Sequence, residues 1–246
     1  MTAVRNMAVI MPVHNEEEHL ERAVGGVEAA VASLQRLQPE TTVRVLVVLD
    51  SCIDSSAAMA AHFTARFSWF SALAVSFRSV GRSRRAGIRE VLRPAADTPG
   101  AAAGWWLANT DADSLVPPDW LVSQAAMAAA GADAVLGSVD IDPVGAAPDL
   151  VRRWQLRHPF QEDHPHIYGA NFGIRGSAYL AAGGFPRHRS HEDRVLAERL
   201  RRMGFNVKAT DTIRVLTSGR THARAPQGLG GYLRALSLEA SLAPET

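Results

Sequence analysis

Three stretches gather carboxylates where chemistry could be done: "NTDADS" (109–114), "LDSCIDSS" (49–56) and "PVHNEE" (12–17). Asp111 and Asp113 stand one residue apart, directly after the apolar run "GWWLA". Like charges at that range call for a cation, a shared proton or abundant water. A calcium loop of the EF-hand type is excluded, because its sixth and twelfth positions, counted from Asp111, hold Val116 and Val122 instead of Gly and Glu. A nucleophilic aspartate of the phosphatase kind belongs near the start of its domain, whereas this pair follows three earlier predicted strands. The chemistry left is a divalent-cation site whose shell is completed by phosphate oxygens. A single Asp after a strand is ordinarily a turn or cap residue; three acid-bearing strand ends in succession ask for more.

The elements that must position these acids alternate between two periods. "MAVIMPV" (7–13), "VRVLVVL" (43–49), "FSALAV" (70–75) and "WWLA" (105–108) are short apolar runs of the kind that form strands buried on both faces. Between them the spacing predicts helices over 16–37, 55–67 and 82–92, the first capped by Asn15 and carrying Leu20, Ala23, Val24, Val27, Val31 and Leu34 on one stripe. Residues 1–110 therefore read βαβαβαβ, a parallel sheet with right-handed crossovers whose ligands gather at the strands' carboxyl ends. Further on, "PPDWLVSQAAMAAA", "APDLVRRWQLR" and "EDRVLAERLRRMG" read as helices. "AVLGSVDI", "ANFGIR", "NVKAT" and "IRVLTS" read as strands, and the tail from Gly219 as loop followed by a short helix. The expected fold is one mixed α/β domain, mostly parallel and doubly wound with helices on both faces. It is expected to span 1–217 in two halves, 1–115 and 116–217, followed by a loop and short helix over 218–246.

Composition bounds the partners. The 246 residues are 47% hydrophobic and 21% charged with a formal net charge of +1, which argues against nucleic acid as a partner. Lys208 is the only lysine, and Arg suits phosphate recognition. The lone Cys52 allows no intrachain disulfide and fits a reducing, cytoplasmic setting. No run reaches the roughly 18–20 apolar residues of a membrane span, so a cytoplasmic protein, at most peripheral to a membrane, is expected. "HPFQEDHPH" holds His158, His164 and His166 but lacks the helical spacing or Cys partners of a zinc site. Trp105, Trp106 and Trp120 read as core.

In family order, the chain carries "PVHNE" (12–16), "LDSCIDSS" (49–56), "GRSRRAGI" (81–88), "DADSLVPPDWL" (111–121), "GANFGIR" (169–175), "GGF" (183–185) and "HEDRVLAERL" (191–200). With these it resembles an inverting family 2 glycosyltransferase of the GT-A fold. The resemblance implies that Pro12, Asn15 and Glu16 contact the nucleoside and that Asp50 hydrogen-bonds the base. Arg84, with Arg82 and Arg85, would face phosphates. Asp111 would meet ribose or, through water, the metal. Asp113 would ligate Mg²⁺ or Mn²⁺ directly, with His222 as a third ligand. Asp193 would be the general base, while Gly169, Asn171 and Glu192 would hold the acceptor. Residues 1–115 would be the nucleotide-sugar-binding half and 116–217 the acceptor-binding and catalytic half, with Arg220 and Arg224 closing over the pyrophosphate as part of a lid within 218–246. Where the family usually shows Asp-Asp-Gly-Ser-x-Asp-Gly, this chain has Leu-Asp-Ser-Cys-Ile-Asp-Ser.

The implied partners are a UDP- or GDP-sugar and a small or lipid-linked acceptor. The stretch "GGYLRALSLEASL" would pack either on the domain or on a second copy in a homodimer. Two other readings stay open: a catalytically silent binding module, favoured by the irregular "LDSCIDSS" and "GRSRRAG", and a nucleotidyltransferase. The latter lacks its Gly-rich, basic loop after the first strand.

Overall fold

A computed structural model describes residues 3–95, 98, 100–186, 191–221 and 228–239. The apolar runs form strands β1 (Asn6–Val13), β2 (Thr42–Asp50), β3 (Phe70–Val75) and β4 (Trp105–Asn109), joined through helices α1 (Leu20–Leu37), α2 (Ser56–Arg66) and α3 (Val80–Leu92). All pairings among these strands are parallel, with β1 between β2 and β4. The chain thus winds outward to β3 and then returns to the other side of β1. That reversal places the crevice for ligands at the carboxyl ends of β1 and β4.

Beyond β4 come β5 (Ser114–Leu115), α4 (Trp120–Ala129), β6 (Ala134–Ile141), α5 (Pro148–Arg157), β7 (Phe172–Arg175), α6 (Gly176–Ala181), α7 (Glu192–Arg202), β8 (Val207–Thr217) and α8 (Leu229–Ser237). The single sheet runs β3-β2-β1-β4-β7-β6-β8-β5. Its second half is mixed: β7 lies antiparallel to both β4 and β6, and β5 antiparallel to β8. The predicted strands "NVKAT" and "IRVLTS" are one strand with an irregularity, since Gly137 pairs Thr210 while Val139 pairs Val215. Two elements had no signal in the pattern: α6, which follows β7 and is six residues long, and β5, which is two.

Apolar residues fill both sheet faces. One cluster joins the α1 stripe, Trp106 and Trp120, and the other joins Ile88, Phe172, Phe185 and Leu196. The α1 stripe is buried as its spacing predicts, but the helix starts at Leu20 behind His19, and Asn15 does not cap it. Asn15 sits at a left-handed φ of 55°, a conformation Asn tolerates, and its Oδ1 accepts the Ile53 N–H at 2.8 Å. Helix α8 packs on its own domain: Leu233 and Leu236 are buried, and Arg153 of α5 donates to the carbonyls of Leu236 and Glu239. Among the described residues no helix is long and apolar enough to cross a membrane.

Candidate functional site

The loops after β1 and β2 are sewn together by short-range polar contacts. Besides the Asn15–Ile53 bond, Glu16 N–H donates to Ser56 Oγ, Glu17 N–H to Asp54, and Ser55 N–H to Glu17. His14 Nδ1 contacts the Asp50 carbonyl at 2.6 Å, and Pro12, on β1, pairs in register with Val48. Cys52 donates weakly to the Val13 carbonyl, and burial pushes its thiol pKa up, so it is a packing residue.

Asp50 ends β2 and is 4% exposed. Its carboxylate accepts the backbone N–H groups of Phe77, Arg78 and Ser79 and the hydroxyls of Ser83 and Ser51. Burial alone would raise its pKa, but the donors from Ser79, Arg78, Ser83 and Phe77 outweigh that and hold it below the ordinary value. The observed work of Asp50 is to shape the loop between β3 and α3.

The four acids nearest the switch point share two guanidiniums. Arg220 is bidentate to Glu16, at 2.7 and 2.8 Å, across 204 residues of sequence, and also reaches Asp113 at 2.8 Å. The two-residue β5 makes this meeting possible. Ser114 and Leu115 pair with Thr217 and Leu216, and Ser218 N–H donates to the Asp113 carbonyl, which lays the end of β8 beside the two aspartates. Burial, opposed by Arg220 and reinforced by Asp111 and Glu16, pushes the Asp113 carboxyl up to about 6. Glu16 and Asp113 are thus neighbours of a cation, while Asn15 faces away toward Ile53.

Arg84 makes the second group. Its Nη2 donates to Asp111 and its Nη1 to Glu192, the first residue of α7. Burial opposes the guanidinium charge, but Asp111 and Glu192 outweigh it and keep Arg84 firmly protonated. Burial also raises the Glu192 pKa, with Arg84 acting against it. Gly169 is required here for space: a Cβ would lie 2.3 Å from Arg84 Nη1.

The other residues expected at the site have varied surroundings. Arg84 pairs with carboxylates, and Arg85 donates to the carbonyls of Gly183 and Phe185. Arg82 is exposed and stacks on Phe77 at 4.3 Å. Asn171, expected to touch an acceptor, is 0% exposed. Its Oδ1 accepts the Trp120 indole N–H, and its Nδ2 donates to the carbonyls of Ser138 and Ile213. It therefore ties α4, β6 and β8 together. Asn171→Ala strands all three partners, and urea unfolding is expected to show a loss of about 2–4 kcal/mol. Gly169 and Glu192 both lie against Arg84. Asp193, by contrast, is only partly buried at the start of α7. His222 and Arg224 lie outside the described residues. The three histidines of 158–166 pack among aromatics: His158 stacks on Trp154 and His166 on Tyr168, while His164 is buried against the Thr210 carbonyl.

The pairing of Glu16 with Arg220 has no local sequence signal, because β5 lays the end of β8 beside this part of the site. Partial signals for the Arg84 triad were the glycines at 81 and 169, both of which occupy crowded positions.

A doubly wound sheet with paired aspartates at its reversal point defines the class: an α/β protein of the GT-A fold. The chain matches the family described as glycosyl transferase family 2 over residues 8–194, and it belongs to that family. No curated protein matches it. Among solved structures it is similar to the mannosyltransferase PcManGT from Pyrobaculum calidifontis in complex with GDP-Man and Mn²⁺, with a TM-score of 0.67 and 17% identity over 98% of this chain and 66% of that one. It is also similar to S. aureus TarS 1–349 in complex with UDP, with a TM-score of 0.63 and 14% identity over 96% and 67%. GalNAc-T7 with UDP, GalNAc and Mn²⁺ gives a TM-score of 0.64 and 14% identity over 87% and 44%. At these identities the likeness is one of fold, and the chain spans two thirds or less of PcManGT and GalNAc-T7.

Proposed function

We propose that this protein transfers a sugar from a nucleotide-sugar donor, UDP- or GDP-linked, to an acceptor hydroxyl with inversion, using a divalent cation. The observation that carries the reading is the charge at the switch point. Among the described residues, Glu16, Asp111, Asp113 and Glu192 pair with Arg84 and Arg220, four formal negative charges against two positive, a surplus of two within these six side chains. Hard carboxylate oxygens with that surplus suit Mg²⁺ or Mn²⁺. Asp113 and Asp111 would hold the ion, which when bound neutralises charge developing on the departing diphosphate. The family membership and the nucleotides and Mn²⁺ bound by the similar structures support this assignment.

The chain's own residues then have distinct tasks. Asp50 fixes the 77–79 loop, which would form the wall of the nucleoside pocket with Pro12 and Asn15. Arg220, released from Glu16 and Asp113, would bear on the diphosphate. Asp193 would accept the proton of the attacking hydroxyl from the face opposite the leaving group. Incubation with UDP- and GDP-sugars tests the reading: slow release of UDP or GDP is expected, with the freed sugar first appearing in proton NMR as the inverted anomer. A freed sugar that keeps the donor's anomeric configuration would contradict inversion.

Arg220 supplies a sharper test. Because it competes with a cation for Asp113, Arg220→Gln should tighten binding of Mn²⁺ alone by about tenfold, read from the paramagnetic resonance of free Mn²⁺. The same change should weaken nucleoside diphosphate binding in the presence of Mn²⁺ by about tenfold or more, a tenfold factor being about 1.4 kcal/mol.

A further inference from the structure

Arg84 spans the two halves of the site. One arm of its fork holds Asp111, at the end of β4, and the other holds Glu192, where α7 begins beside Asp193. The side chain is 3% exposed, and that of Glu192 5%. Its surroundings are cut to fit: a Cβ on Gly169 would strike Nη1 at 2.3 Å, and one on Gly81 would meet Glu192 Cγ at 2.9 Å. A buried ion triad is seldom the most stable filling of such a space, since well-packed apolar side chains do as well or better. Stability therefore does not account for the arrangement.

Accepting the glycosyl-transfer reading, on which the inference rests, we propose that Arg84 is a positioning residue that couples the donor side to the acceptor side. Its charge is shared between Asp111 and Glu192. When Asp111 turns its charge to a metal diphosphate, Arg84 bears more heavily on Glu192 and fixes the first turn of α7, and with it Asp193. Coupling of this kind is reciprocal. Removing the charge of Glu192 leaves Arg84 wholly to Asp111 and makes that aspartate a poorer partner for the cation, although Glu192 belongs to the other half of the site.

The test is a pair of titrations of the full chain with UDP and GDP, each with Mn²⁺, by calorimetry. Glu192→Gln is expected to weaken nucleotide binding by about fivefold or more in the presence of Arg84, and by less than about twofold when Arg84→Met is already in place. Arg84→Lys and Gly169→Ala give second backgrounds that keep every charge but break the fork, and the coupling should be lost in them as well. Should Glu192→Gln leave affinity unchanged with Arg84 present, or shift it equally in all backgrounds, the coupling role is wrong. Failure of the unsubstituted chain to bind either nucleotide is a different result: it removes the glycosyl-transfer reading itself.

Discussion

Asp113→Asn is expected to abolish Mn²⁺-dependent nucleotide binding and to lower turnover by about a thousandfold or more. The magnitude follows from what the residue would do. A diphosphate leaves slowly unless its charge is met, and the loss of one preorganised electrostatic partner typically costs about 10²–10³. Loss of the direct ligand costs the cation as well. The same substitution should stabilise the fold near neutral pH. Asp113 has its carboxyl pushed up to about 6 from an ordinary 3.8, so the folded state holds its proton more tightly than the unfolded chain does. Its contribution to stability is full below about pH 4 and is lost as pH rises through about 6. Asparagine, which never ionises, avoids that loss. The variant should be more stable than the unsubstituted protein by roughly 1–3 kcal/mol at pH 7.5, with the difference vanishing near pH 4. Thermal unfolding in metal-free buffer at the two pH values measures this. A variant that loses both activity and stability at pH 7.5 would show that Asp113 is a structural acid.

Asp193→Ala is expected to remove turnover by about 10³-fold, within the range for a lost general base, while nucleotide affinity stays within about twofold. The reason lies in how α7 begins. Glu192 turns inward onto Arg84 and is 3% exposed, so the carboxylate presented at this helix start is that of its partly buried neighbour. Among the described residues, the Asp193 carboxylate accepts only the N–H of its neighbour Arg194, so within them its removal strands no distant partner. A fall in kcat with unchanged nucleotide affinity would mark a role in the chemical step. Turnover that survives the substitution would place the base elsewhere.

How far the sequence could be read follows from where the information sits. The parallel half was legible because strands buried on both faces, such as β1 and β2, must be apolar throughout, and because α1 repeats its apolar residues at helical spacing. Asn15 was misread as a cap because the three glutamates after it mimic the first turn of a helix. Those residues form a turn instead, with the Glu16 carbonyl accepting from His19 and Leu20 and its side chain directed to Arg220. The motif "GANFG" is legible as a motif but its packing is not: Asn171 hydrogen-bonds within the core, and Gly169 leaves room for Arg84. The least legible feature is the one the site depends on most. Two residues of β5 bring Arg220 to Asp113, and no local pattern marks a two-residue strand whose partner lies about a hundred residues on.

The central claim is that the paired aspartates after β4 serve a metal-bound nucleoside diphosphate. Calorimetric titration of the intact chain with UDP, GDP and ADP, each with and without Mn²⁺, tests it most directly. The account predicts binding of UDP or GDP that requires Mn²⁺ and is lost in Asp113→Asn. No binding of any of the three with Mn²⁺ present, or binding indifferent to both the ion and Asp113, would contradict it.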